Sequence, residues 1–240
     1  METIQLIILI LGVGLGFFIQ TIAGFAGGLF ALPIILQAFP IQEAVAYLSI
    51  FLCIFSILLV FKTWSQIDTN TVKELMAGII AGLGIGVLIL KTGNPEILKK
   101  FLGGFILIFI CYHLMSKKNF RLPGKLGIFF GLAGGFFSGV FSAGGGPTYV
   151  MYIYNKISSA SVFRATIIGI LSITNILRVP MLIASDILTA DILLHSLYIV
   201  PFFIVAMFFG NRLYGKINEK IFRNILFILL AASGISLIVR

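Results

Sequence analysis

Two short runs decide how this chain is read: Gly24-Phe25-Ala26-Gly27-Gly28-Leu29-Phe30 and Ser142-Ala143-Gly144-Gly145-Gly146-Pro147-Thr148. Laid on one another they set Gly27 on Gly145, 118 positions apart. Further along, Ala46-Tyr47 falls on Ala165-Thr166 at a separation of 119, and Gly86 and Lys100 fall near Gly210 and Arg223. The register therefore persists through the chain. It reads as an internal duplication: a first repeat over 1–116, a basic linker over 117–125 and a second repeat over 126–240.

The sequence around these runs is apolar. Of 240 residues, 60% are hydrophobic and 10% charged, too little polar surface to cover a water-soluble globule. Blocks such as 4–20, 44–61, 75–90, 97–115, 187–209 and 221–239 are each long enough, at about 1.5 Å per residue, to cross a hydrocarbon core, and about eight can be counted. The expected fold is an all-α polytopic membrane protein in a lipid bilayer. Only Met1, Glu2 and Thr3 precede the first block, with no basic region and no small-residue cleavage site, so that block is expected to be a helix of the mature protein. The net charge of +9 comes from short loops between apolar blocks, which points to membrane topology and away from nucleic acid. Cys53 and Cys111 lie inside apolar blocks without metal-ligand company, so no disulfide framework, metal site or cofactor is expected.

Each glycine run precedes an apolar stretch, 29–39 or 148–154, too short to cross alone. The run is either a kink in one span or a turn after which a half-helix runs back. Lysine and arginine placement decides between them, because short cytoplasmic loops collect these residues. With returning half-helices, Lys62, Lys73, Lys117, Lys118, Arg121, Lys125, Lys156, Arg164, Arg212, Lys216, Lys220 and Arg223 share one side. Lys91, Lys99, Lys100 and Arg240 face the other, together with Glu2, Glu43, Glu96, Asp186 and Asp191. Each half then crosses an odd number of times, so the expected architecture is two inverted-topology repeats in a bacterial inner membrane. Met1 and Arg240 would both be periplasmic.

Adjacent glycines each destabilise a helix by about 1 kcal/mol relative to Ala, and Pro147 suits the first turn of a new one. A break at membrane depth leaves backbone N–H groups that must face protein, water or a ligand. Half-helices beginning near Leu29 and Pro147 would point donors and positive dipole ends at the midplane, an arrangement suited to a small anionic substrate. Gly24, Gly27, Gly28, Gly144, Gly145, Gly146 and Pro147 are the candidate backbone contacts, with close helix packing as the competing explanation. That explanation is the first choice for Gly12, Gly14, Gly16, Gly78, Gly82 and Gly86. On the anion reading, Gly145→Val removes transport without loss of folding.

At these runs the sequence resembles the sulfite exporter TauE/SafE family, whose halves each carry a glycine-rich signature followed by a short apolar segment. Phe163-Arg164-Ala165-Thr166, Asn175, Arg178 and the stretch 210–223 also look like that family's pattern. Ala26, Ser142 and Met151 depart from it. The resemblance implies transport of sulfite or a small organosulfonate.

Polar side chains inside apolar spans are costly, which makes each a functional candidate. Arg178, a little over one turn from the outer end of its helix, either snorkels or contacts the anion, with Asn175 almost one turn earlier. Gln20, Thr21, Ser142, Thr148, Thr166 and Asn175 could offer neutral hydrogen bonds to anion oxygens. Arg164 and Tyr47 are assigned to a gate or access route. His113 and His195 read as helix-end residues. All eight acids fall in loops or at helix ends, so no membrane-embedded carboxylate marks proton coupling. There is no Ser/His/Asp set, no histidine pair at metal spacing and no phosphate loop, and an enzyme is not expected. The function read from the sequence is a secondary transporter exporting a small anion by alternating access. A passive channel and another sulfur-containing or carboxylate anion stay open, and nothing specifies or excludes a homodimer.

Overall fold

The computed structural model describes residues 2–23, 27–115, 126–154, 156–213 and 219–239. Gly24 with Phe25 and Ala26, the linker 117–125 and both termini lie outside them. The described elements are all helical: α1 Thr3–Ala23, α2 Gly27–Ile35, α3 Ile41–Thr63, α4 Thr69–Thr92, α5 Pro95–Met115, α6 Gly127–Phe141, α7 Gly145–Tyr154, α8 Ala160–Ala184, α9 Ala190–Leu197, α10 Val200–Leu213 and α11 Glu219–Val239. A 3₁₀ turn, Trp64–Gln66, follows α3. Among the described residues, α1, α3, α4 and α8 contain stretches long and apolar enough to cross a membrane. Large apolar side chains such as Ile108, Ile204 and Phe208 are exposed, as lipid-facing surfaces require.

The expected single block over 187–209 is instead two helices, α9 and α10, bent by 55°. Pro201 has no N–H to donate to the Leu197 carbonyl, so the helical ladder cannot continue there. Tyr198 and Ile199 close the turn by donating to the carbonyls of His195 and Ser196.

The chain forms two compact units, each drawing segments from both halves of the sequence. The first comprises Met1–Leu48, Gly93–Ser116 and Thr189–Arg240; the second comprises Ser49–Thr92 and Lys117–Leu188.

In the first unit, α2 runs back along α1. A Cβ placed on Gly16 would meet Ala31 and the Gly27 carbonyl, and one on Gly12 would meet Ile35. Nearer the chain start, the Gln5 amide reaches the Ala38 carbonyl at 3.5 Å. Gly210 of α10 packs on Phe18 and Thr21, Phe203 meets Phe17 edge-on, and Gly103 of α5 lies against Gly234 of α11.

The second unit is built on a contact of bare backbones. Gly78, Gly82 and Gly86 of α4 face α6, where an added Cβ would overlap the carbonyls of Ile128, Leu132 and Phe136. In return, Gly131, Gly135 and Gly139 of α6 abut the carbonyls of Leu75, Ile79 and Leu83. Small residues every fourth position on both helices let the axes approach where any side chain would hold them apart. The packing expectation thus holds for five of the six glycines assigned to it: Gly14 meets nothing within 4 Å among the described residues.

Candidate anion site

α7 folds back on α6 as α2 does on α1. Gly127, at the start of α6, and Tyr152, near the end of α7, both meet Glu74 of α4: a Cβ on Gly127 would lie 3.0 Å from the Glu74 side chain, and the Tyr152 hydroxyl donates to Glu74 Oε2 at 2.7 Å. Lys156 pairs with the same carboxylate. The second glycine run is therefore a turn, with both arms returning to one end of the unit. Both half-helices start two residues earlier than the sequence suggested, at Gly27 and Gly145, because glycine can be wedged where Leu29 or Pro147 would not fit.

An offset of 118 positions recurs in these contacts. Gly27 abuts Gly16 and Gln20; Gly145 abuts Gly134 and Ser138. Each pair in the second unit stands 118 positions beyond its counterpart in the first. The Gly27 N–H is held by Gln20 Oε1 at 2.7 Å, which satisfies one of the orphan donors of α2. Gly28 is buried behind it.

Between α6 and α7 the chain turns at Ser142, which has φ 64° and ψ −42°. Positive φ is uncommon for a residue with a side chain and marks a strained turn. The surroundings hold it in place. Its N–H donates to the Ser138 carbonyl at 2.9 Å, and its hydroxyl lies 3.0 Å from Ser49 Oγ.

Arg178 faces this turn from α8. Its side chain does not snorkel: the residue is 0% exposed. Nη1 donates to the carbonyls of Ser138, at 3.1 Å, and Ser142, and Nη2 donates to Asn175 Oδ1 at 3.0 Å. Asn175 is oriented in turn by its own amide, which donates to Ser56 Oγ at 2.5 Å. A guanidinium carries five N–H donors. Three are used, and Nε has no acceptor among the described residues. No described carboxylate pairs with it, and it is the one charged side chain buried among the described residues. Carbonyl dipoles solvate the cation without neutralising it, and breaking or omitting a buried pair is costly.

The other candidates are distributed unequally. Gly144 is packed on Phe137, and Gly145 is wedged against Ser138 and Tyr149. Gly146 is buried, yet among the described residues nothing lies within 4 Å of where its Cβ would be. Pro147 and Thr148 are half-buried in the first turn of α7. Thr21 bonds the Phe17 carbonyl of its own helix, and Thr166, fully buried, accepts from the Asp68 N–H at 2.9 Å. Tyr47 is buried against Phe39, its hydroxyl 3.4 Å from His195 Nδ1. Arg164 is exposed near the start of α8. Sequence reading missed Ser138 and Ser56. The repeat register was the available signal, since they match Gln20 and Asn175.

These features define a multi-pass α-helical membrane protein with glycine-rich helix breaks and a buried cation. The family model described as Sulfite exporter TauE/SafE matches residues 8–237, and the chain belongs to that family. Its members are transporters of sulfite and related sulfur anions, and this chain is a membrane transport protein of that kind. No curated protein and no solved structure matches the chain.

Proposed function

We propose that this chain is a secondary transporter that exports a small anion, sulfite or a small organosulfonate, by alternating access, and that the anion is recognised where the helices break. The observation that carries this reading is Arg178: fully buried and, among the described residues, bonded only to neutral acceptors, with no acceptor for Nε and no carboxylate beside it. An anion supplies the missing countercharge. Thr148 and the open space at Gly146 lie at the start of α7, whose N-terminal donors favour negative charge.

The halves 1–116 and 126–240 insert with opposite orientation, giving about eight crossings of the inner membrane and two periplasmic termini. Two pairs of contacts support this layout. The hairpins α1–α2 and α6–α7 repeat one another, and Lys156 joins Glu74 at the start of α4 while Lys91 joins Asp186, 3.5 Å away, at its far end. Arg164 and Tyr47 lie on the access route.

Purified protein in liposomes preloaded with sulfite should take up labelled sulfite in saturable counterflow. A current rising linearly with concentration, without counterflow, would replace the carrier by a channel. Absence of binding and flux for sulfite, methanesulfonate, sulfate and chloride would sink the proposal altogether.

A further inference from the structure

We infer that the transported species is a monoanion: hydrogensulfite or a singly charged sulfonate, with the dianions sulfite and sulfate excluded. The inference rests on Arg178 being the anion's countercharge, as proposed above, and adds a charge rule to it. Among the described residues Arg178 is the single buried charge; the remaining buried polar side chains, including Ser49, Ser56, Ser138, Ser142, Thr174 and Asn175, are all neutral. The other cations of its unit whose side chains are described, Lys73, Lys91, Lys156 and Arg164, are exposed.

Among the described residues the site therefore offers one full positive charge. The start of α7 adds a fraction of a charge, and the Ser138 and Ser142 carbonyls on Nη1 offset part of it. A monoanion cancels the buried charge. A dianion replaces an uncompensated cation by an uncompensated anion, and in a medium that solvates charge poorly the ligand pays the same penalty again. The donors agree with this arithmetic. The guanidinium keeps two donors, Nε–H and one Nη2–H, once its three bonds are made. Two such donors hold two oxygens of one sulfonyl group. A dianion spreads two charges over three oxygens in sulfite or four in sulfate, and no second buried cation among the described residues meets the extra charge.

The test uses the full chain in liposomes with two labelled probes, sulfite and methanesulfonate, the second a monoanion at every working pH. Methanesulfonate should compete with labelled sulfite, and sulfate, a permanent dianion, should compete about a hundredfold more weakly. At fixed total sulfite, uptake should fall as pH rises through neutrality and hydrogensulfite loses its proton, whereas methanesulfonate uptake stays level. Arg178→Gln should remove uptake of both probes, and Arg178→Lys, which keeps the charge, should weaken uptake but keep the preference for methanesulfonate over sulfate. Equal competition by sulfate, or sulfite uptake that rises with pH, would overturn the charge rule while leaving anion transport in place. Failure of both labelled anions to enter wild-type vesicles would instead overturn the transport reading, and this inference with it.

Discussion

The Asn175 amide donates to Ser56 Oγ across 2.5 Å, between residues 119 positions apart. That separation also sets Ala46-Tyr47 on Ala165-Thr166, so the bond joins residues at the same offset inside one compact unit. With its amide engaged by Ser56, Asn175 turns its oxygen toward Arg178.

Changing that oxygen separates a structural arginine from a substrate-binding one. Asn175→Asp places a carboxylate about where the amide oxygen accepts from Nη2 and supplies an internal countercharge. The variant should fold with unchanged or raised thermal stability and lose sulfite uptake. Asn175→Leu, by contrast, leaves Nη2 with one acceptor fewer and should cost about 1–3 kcal/mol in detergent unfolding. Undiminished uptake in the Asp variant would show that Arg178 does not need the anion.

The α4–α6 contact should be intolerant of any side chain. Gly82→Leu or Gly135→Leu inserts a branched chain into the carbonyls of Leu132 or Ile79 and should prevent recovery of folded protein. Gly84→Ala on the same helix meets nothing within 4 Å among the described residues. It should raise stability by about 0.5–1 kcal/mol through helix propensity. Thermal unfolding of the pair measures the difference.

At the second glycine run the structure changes which substitution tests anion approach. Gly145→Val strikes the Gly134 carbonyl and Ser138 Oγ, so it should disrupt folding and cannot report on the anion as the sequence suggested. Gly146→Ala enters open space and should leave the unfolding temperature within a few degrees while lowering sulfite uptake. Normal uptake by well-folded Gly146→Ala protein would place the anion elsewhere.

The two partners of Glu74 should differ in weight. Lys156 is partly exposed, and Lys156→Ala should cost under about 1 kcal/mol. Tyr152 is 1% exposed, so Glu74→Ala removes an acceptor from a buried hydroxyl and should cost about 1–3 kcal/mol. Equal losses in the two variants would mean that the ion pair, and not the tyrosine, holds the end of α7.

Much of the fold was legible because it follows from local composition. The apolar blocks and the breaks at Gly27 and Gly145 are properties of short stretches. The bend between α9 and α10 was overlooked because block hydropathy hides Pro201, although the missing donor was there to read. The candidate site was legible in its residue types only. Arg178, Asn175 and Ser142 were named, but Ser138 and Ser56 resemble any hydroxyl in a membrane helix.

By itself, then, the sequence determined the apolar solvent, the helical class and the points where the helices break, since each depends on residues adjacent in the chain. Tertiary structure alone decided that Arg178 turns inward. Two of its acceptors, the Ser138 and Ser142 carbonyls, lie 40 and 36 positions away, at the end of α6 and in the turn that follows it. A backbone carbonyl carries no residue identity that a sequence could display. Only the return of α7 along α6, permitted by glycines with no side chain to keep them apart, sets that turn beside α8.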